Sequence, residues 1–161
     1  MVKVEDFGTR LARLGLELPG ARPPLATYVP IWIASGRAFV SGHGPLGEAG
    51  EPTSIGRIGS EVSEEEAIEA TRLTILNLLA TLEAGVGGLQ MITGILQVRC
   101  FVAASGDGSA AHALVAATTD GLLRDVFADL QVAQPTTIGV DSCALGLPVT
   151  IDLIAEMRPA A

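Results

Sequence analysis

The stretch TYVPIWIASGRAFVSGHGPL, residues 27–46, consists of two short extended runs that meet at Ser35-Gly36. Apolar residues alternate along the first run, as they do in a half-buried strand, and Ser35-Gly36 suits a two-residue hairpin turn. Pro30 lacks a backbone donor, so the first strand is predicted to lie at the edge of a sheet. The stretch therefore predicts a β-hairpin that brings a tyrosine, a serine and a histidine to a polar turn.

Two long helices are predicted downstream of this hairpin. Ser63, with Glu66 three residues later, forms a capping box, and apolar residues then recur at helical spacing as far as a terminal glycine, Gly85. A second helix is predicted over residues 110–128, with Ser109 as its cap.

The remaining pattern predicts strands around these helices. Residues 92–103 form a long alternating run, and residues 136–144 and 148–156 are predicted to pair as a hairpin around 145–147. A short helix is predicted over residues 4–14. Two main helices can cover only one face of such a mixed sheet, yet the strands carry apolar residues on both faces. An uncovered apolar face predicts a partner chain, most simply a second copy.

The composition favours one domain and argues against a polyanionic partner. The formal net charge is −8, and the ten Lys and Arg residues are scattered. A field of this sign repels nucleic acid, so no nucleic-acid binding is predicted. Residues 1–161 are predicted to form a single domain, in which residues 1–20 are a helical N-terminal extension.

Two further features bear on where the protein works. Cys100 and Cys143 lie in apolar strand-like runs, with neither a disulfide framework nor CxxC spacing. The first residues lack the apolar segment of a signal peptide, and no apolar run approaches the ~18 residues that a membrane span needs. These features predict a soluble cytoplasmic protein that does not associate with membranes.

Two motifs suggest chemistry, but simpler interpretations are favoured. Residues 42–47 match GxGxxG, yet Pro45 and a glycine-rich loop follow where a dinucleotide site needs a helix. Cys100 lies among apolar neighbours, which favours a buried inert thiol over a nucleophile activated by His43 or His112. No cofactor is predicted.

Other combinations of polar and aromatic residues are also weak signals. A Ser-His-Asp set can be drawn from Ser41, His43 and Asp120, but Ser41 is not in a GxSxG turn. No His, Cys, Asp or Glu cluster has metal-ligand spacing, so no metal is predicted. Tyr28 and Trp32 fall on the same face of their predicted strand. Interface packing and an aromatic wall of a ligand cleft explain this pair equally well.

Five stretches, in order and across nearly the whole chain, resemble the RidA/YjgF family. They are LGLELPGARPPLATYVP, FVSGHGPLG, GRIGSEVSEEEAIEATRLTILNLLATLEAGVG, FVAAS and GVDSCALGLPVTIDLIAE. Each motif is loose, but the order and spacing together are specific, and the match is closest to the YjgF-like branch with a longer N-terminus.

The resemblance implies an α+β fold of the chorismate-mutase-like (Bacillus) type. In it, a six-stranded mixed sheet carries two long helices on one face, and three chains form a barrel-like homotrimer. It also implies small-molecule clefts between subunits. Active members hydrolyse reactive 2-imino or enamine acids to keto acids and ammonia, and they use no cofactor.

The family's ligand-binding positions can be carried over residue by residue. The cleft tyrosine of the family corresponds to Tyr28, and its Ser-Gly pair corresponds to Ser41-Gly42. The glutamine that commonly follows this pair is His43 here, and the asparagine of the second long helix is Asp120.

Three more positions depart from the family pattern in ways that affect its chemistry. Pro135 stands where an arginine grips the substrate carboxylate, and Thr137 stands where a small or thiol residue follows it. Thr150 replaces a glutamate that positions the attacking water. An arginine–carboxylate bond contributes ~1.5–3 kcal/mol, and proline offers neither its charge nor its donors.

Three functional hypotheses follow from this resemblance. The first is a small-molecule-binding protein whose 2-imino-acid deaminase activity is weak or lost. The second is an active imine deaminase with a rebuilt site, in which His43 is the base and Arg99 or Arg124 replaces the missing arginine. The third, which the acidic charge disfavours, is the translation-inhibiting endoribonuclease activity ascribed to some relatives, the L-PSP proteins.

Overall fold

The computed structural model describes residues 5–21 and 27–158. This part of the chain folds into three α-helices and six strands. In chain order they are α1 Phe7–Arg13, β1 Ile31–Ala34, β2 Arg37–His43, α2 Glu64–Val86, β3 Ile92–Ala103, α3 Ser109–Val126, β4 Gln131–Val132, β5 Thr136–Val140 and β6 Val149–Met157.

The six strands form one mixed sheet, which confirms the predicted α+β class. The order β1-β2-β6-β3 is antiparallel throughout, and the other edge of β3 pairs in parallel with both β4 and β5. Strand β1 lies at the edge of the sheet, as Pro30 predicted. Ser35 and Gly36 both have positive φ, 50° and 70°, which matches the predicted two-residue hairpin turn.

The predicted hairpin of the last two strands is wrong, because β3 lies between them. Phe101 of β3 pairs with Thr150 of β6 on one side and with Ile138 of β5 on the other. The twelve-residue β3 is long enough to pair along both edges, so β5 and β6 never meet. A two-residue strand, β4, also forms in a segment where no strand was predicted.

Helix α2 begins as predicted but ends later. The Ser63 hydroxyl oxygen accepts from the Glu66 N–H at 3.2 Å, and the Glu66 carboxylate accepts from the Ser63 N–H at 2.8 Å. Gly85, the predicted end, lies inside the helix, where a Cβ atom would come within 2.7 Å of the Ile31 side chain. Gly87, with φ of 81°, ends the helix instead.

Removing the Ser63 hydroxyl is expected to lower the free energy of unfolding by about 1 kcal/mol, the usual effect of losing an N-cap. The comparison is between Ser63→Ala and Ser142→Ala, because Ser142 is an exposed serine that is not the N-cap of any described helix. Urea denaturation followed by circular dichroism measures both. Equal stability of the two variants would contradict a stabilising cap.

The predicted cap of α3 is wrong by one residue. Gly108 holds the cap position, and the Asp107 carboxylate accepts from the Ser109 N–H at 3.0 Å and from the Ser109 hydroxyl at 2.9 Å. These two hydrogen bonds hold the pKa of Asp107 below its usual range. The acidic side chain of the loop thus takes the role predicted for the serine.

Helices α2 and α3 pack side by side on one face of the sheet, and the core lies between these two layers. The short α1 packs against the C-terminal end of α3. Arg10 of α1 is buried there, donates to the Val126 carbonyl at 3.1 Å and pairs with Asp129. The helix predicted from residue 4 begins at Phe7 instead, after its N-cap Asp6; residue 4 lies outside the described residues.

Candidate functional site

The face of the sheet that carries no helix, called here the outer face, holds a row of apolar side chains. Trp32, Phe39 and Ile154 are register neighbours on β1, β2 and β6. Trp32 is 63% exposed and Phe39 is 39% exposed in the single chain. Apolar residues thus lie on both faces of the sheet, as the sequence predicted.

Ser41 and Gly42 lie in a β-bulge at the end of β2, where the register with β6 shifts between Val40 and His43. The Ser41 N–H donates to the Pro30 carbonyl at 2.9 Å, and the Ser41 hydroxyl donates to the Val29 carbonyl at 2.9 Å. The bulge therefore holds the chain segment that precedes β1. Bulges commonly redirect side chains beside functional sites.

Tyr28 lies in this segment, next to Val29, and is 43% exposed. The predicted strand was to begin at Tyr28, but β1 begins at Ile31. Strand alternation therefore does not relate Tyr28 to Trp32, and the prediction that they share one strand face is wrong. The Ser41 hydrogen bonds are what fix the backbone beside Tyr28.

Thr150 of β6 lies beside the bulge. A Cβ atom at Gly42 would be 3.5 Å from the Thr150 Cγ2 atom, so the two residues are in contact across the strands. Phe101, the register partner of Thr150, lies on the next strand of the outer face. Ser41, Gly42 and Thr150 thus form one compact group in a single chain.

A second group lies at the β5 edge of the sheet. Thr137 pairs with the buried Cys100 and so faces the helix layer, while Pro135 immediately precedes β5. Helix α3 follows this edge: its His112 ring lies against Gly139, and its Arg124 donates to the Val132 carbonyl at 3.4 Å.

Asp120 lies on α3 between His112 and Arg124, which both contact this edge, and we therefore assign it to the same group as Pro135 and Thr137. Within one chain, β6 and β3 stand between this group and the bulge. The predicted site residues therefore form two separate groups in the single chain. Neither Tyr28 nor His43 belongs to the β5 group.

His43 points into the space between the sheet and α2. Its Nδ1 atom is 2.7 Å from the Ser41 carbonyl oxygen, and its Nε2 atom is 2.8 Å from the Thr81 hydroxyl oxygen. A carbonyl oxygen only accepts, so Nδ1 carries a proton; in the neutral ring Nε2 then accepts from Thr81. Both ring nitrogens are occupied within the chain, which disfavours His43 as a base.

Both arginines that the sequence offered as replacements for the missing family arginine are paired with aspartates. Arg99 donates to both carboxylate oxygens of Asp152, at 2.9 and 2.6 Å, and this pair raises the pKa of Arg99 above its ordinary value. Arg124 donates to Asp120 at 2.8 Å. Each carboxylate competes with any anionic ligand for its arginine.

Two polar residues that contact the turn after β2 were missed in the sequence. The Asn77 side-chain amide donates to the Gly44 carbonyl at 3.0 Å and to the Leu46 carbonyl at 3.1 Å, and Thr81 contacts His43. Both side chains are buried. Their signal was a polar pair four residues apart on the buried side of α2, which also carries Thr71 and Thr74.

Cys100 is fully buried, as predicted, and its Sγ atom lies 3.6 Å from the Thr119 hydroxyl oxygen. Burial raises the pKa of the Cys100 thiol to about 11. Such a thiol is protonated at neutral pH and is a poor nucleophile.

The raised pKa of Cys100 also predicts how stability changes in base. The unfolded thiol loses its proton near its ordinary value of about 9, before the folded one does at about 11. The free energy of unfolding is therefore expected to fall by about 2 kcal/mol between pH 9 and pH 11. In Cys100→Ala this part of the decrease should vanish; identical pH profiles from urea denaturation would contradict the assignment.

The GxGxxG match is a turn, because α2 does not begin until Glu64. Residues 5–21 and 27–158 contain no group of three His, Cys, Asp or Glu side chains able to hold a metal ion. In the same two segments no helix is long and apolar enough to cross a membrane.

No family model matches the chain. The chain is 26% identical to Protein TCP17 of Trypanosoma cruzi over 150 residues, which cover 92% of each protein. It is 29% identical to the protein Atu1372 of Agrobacterium tumefaciens, a structure of unknown function, with a TM-score of 0.82 and coverage of 94% and 92%.

Three further solved structures have a similar fold. A candidate endoribonuclease from Shewanella oneidensis is 24% identical, with a TM-score of 0.86, and covers 95% of this chain and 100% of its own. YjgF of E. coli is 18% identical, with a TM-score of 0.63 and coverage of 88% and 94%. E. coli TdcF, crystallised with bound serine, has a TM-score of 0.59 at 18% identity, with coverage of 87% and 93%. The chain therefore has the RidA/YjgF fold.

Proposed function

We propose that this protein is a small-molecule-binding member of the RidA/YjgF family with little or no 2-imino-acid deaminase activity. The observation that carries the proposal is the pairing of Arg99 with Asp152 and of Arg124 with Asp120. The resemblance assigns the carboxylate-gripping arginine to position 135, which is proline in this chain. Arg99 and Arg124 are the candidate replacements, and the charge of each is already compensated by an aspartate.

The ligand site is proposed to lie between copies of the chain in a homotrimer. The site residues form two groups: one around Ser41, Gly42 and Thr150, and one around Asp120, Pro135 and Thr137. Contact between the first group of one copy and the second group of another would complete a cleft. The exposed apolar row of the outer face supports such an assembly.

The charges near the site favour a ligand that is neutral, zwitterionic or cationic overall. In both pairs the aspartate offsets the charge of its arginine, although the arginine side chains are 46% exposed, against 28% for Asp120 and 16% for Asp152. Arg99 and Arg124 therefore offer an anion little uncompensated positive charge, and the net charge of −8 opposes its approach. Since TdcF binds serine, a zwitterion, L-serine is a suitable first probe.

The test is a coupled assay in which 2-aminoacrylate is generated freshly and its conversion to pyruvate is followed. Little acceleration over the spontaneous reaction is expected, while L-serine binding is measured in parallel by calorimetry. Turnover as fast as that of E. coli YjgF under the same conditions would overturn the proposal. It would favour the rebuilt-site deaminase, with Arg99 or Arg124 released from its aspartate.

Endoribonuclease activity is the weakest candidate. It is supported by the name of the Shewanella oneidensis structure, and the net charge of −8 opposes it. RNA cleavage that persists through repurification and is abolished in Tyr28→Phe or Ser41→Ala would be needed to support it.

A further inference from the structure

We propose that Thr81 of α2 is a positioning residue, which acts through the His43 ring to hold both Ser41 and the Tyr28 segment in place. The inference rests on the proposed ligand cleft for its functional meaning. Thr81 itself is buried beneath the sheet and lies behind the bulge, so it is not proposed to touch the ligand.

The His43 ring links α2 to the bulge. The Thr81 hydroxyl is 2.8 Å from Nε2 of His43, and Nδ1 of the same ring is 2.7 Å from the Ser41 carbonyl oxygen. The ring thus bridges a helix side chain and a backbone carbonyl. Because Thr81 is buried and His43 is half-buried, loss of either partner leaves a polar atom to which water has restricted access.

Ser41 in turn links the bulge to the Tyr28 segment. Ser41 donates its hydroxyl to the Val29 carbonyl at 2.9 Å and its N–H to the Pro30 carbonyl at 2.9 Å. These bonds are made by the residue whose own carbonyl the His43 ring holds. A continuous series of hydrogen bonds therefore leads from Thr81 through His43 and Ser41 to the residue next to Tyr28.

Regular strand pairing does not hold the Tyr28 segment by itself. Tyr28 precedes β1, and its side chain is 43% exposed. The bulge interrupts the β2–β6 ladder at Ser41 and Gly42. Where regular pairing is interrupted, side-chain hydrogen bonds set the orientation of the backbone, as they do for supporting residues around other binding sites.

The chain offers a matched control on the same helix. Thr74 is fully buried, and its hydroxyl donates to the carbonyl of Ala70 at 2.7 Å, within α2 itself. Thr74→Val therefore removes a buried hydroxyl without touching the series of bonds that begins at Thr81. Thr81→Val removes the partner of His43, and Thr81→Ser restores it.

The reporter is Tyr28 itself, because it is the one tyrosine of the sequence. Protein labelled with 3-fluorotyrosine gives a single fluorine NMR signal from this position. Thr81→Val is expected to shift or broaden that signal, while Thr81→Ser and Thr74→Val leave it as in the unchanged protein. Affinity for L-serine is expected to fall about tenfold in Thr81→Val alone, the effect of one misplaced polar contact.

The outcomes separate this inference from the proposed function. An unchanged Tyr28 signal in Thr81→Val, or equal changes in Thr81→Val and Thr74→Val, would overturn the positioning role. A selective change in the signal without L-serine binding by any variant would support the positioning role and count against an amino-acid ligand. If Thr81→Val does not fold, His43→Phe, which keeps a ring and removes both hydrogen bonds, must give the same selective signal change.

Discussion

Restoring the two residues that the resemblance expects, by changing Pro135 to arginine and Thr150 to glutamate together, is expected to raise the turnover of 2-aminoacrylate about tenfold to a hundredfold. The physical reason is that a charge-assisted arginine–carboxylate bond contributes ~1.5–3 kcal/mol, and a nearby carboxylate adds a group that can orient water. The measurement is pyruvate release in the coupled assay, at several substrate concentrations, so that kcat and KM are separated.

Each single variant is an internal control for this result. Pro135→Arg alone is expected to lower KM, since it supplies binding, whereas Thr150→Glu alone is expected to affect kcat. Asp125→Asn, on the exposed surface of α3, is the charge-matched control for Pro135→Arg, because each change makes the net charge more positive by one, whereas the double variant leaves the net charge unchanged. If the double variant gains nothing over the unchanged protein, the correspondence of residues 135 and 150 with the family positions is wrong.

Placing a charge in the apolar row of the outer face is expected to break the proposed trimer. In Ile154→Lys an ammonium group would be buried without a partner at the contact between copies, at a cost of several kcal/mol. The association constant should therefore fall at least about a hundredfold. Size-exclusion chromatography with light scattering should report a trimer for the unchanged protein and a monomer for the variant.

Ala113→Lys is the matched control for that experiment, because it adds the same charge to an exposed position of α3, on the opposite layer. It should remain trimeric. Trp32, which is the sole tryptophan and is 63% exposed in the single chain, provides a second readout. Its emission should move to longer wavelength when the copies separate. A monomeric unchanged protein, or an Ile154→Lys protein that stays trimeric, would contradict the proposed assembly.

Local signals in the sequence predicted the elements whose causes are themselves local. The capping box of Ser63 and Glu66, the turn at Ser35-Gly36 and the long alternation of β3 all depend on neighbouring residues, and all are confirmed. The end of α2 was predicted too early because Gly85 leaves space for the side chain of Ile31, which lies 54 residues away in sequence. A glycine required by packing looks the same in sequence as a glycine that ends a helix.

In the candidate site, too, some features follow from local sequence and others depend on tertiary contacts. Ser41 and Gly42 could be named from a motif, and their contact with Thr150 follows from strand pairing. The direction of the His43 ring could not be predicted, because it depends on a bulge that shifts the register by one residue. Such a shift turns a side chain from one face of a sheet to the other.

The hairpin of residues 27–46 and the edge position of β1 were determined by the sequence itself, since a turn and a missing backbone donor act locally. The tertiary structure decided which strands flank β3, what the His43 ring contacts, and that Arg99 and Arg124 are each paired with an aspartate. These outcomes depend on contacts between residues far apart in the chain, whose distances the order of residues does not specify.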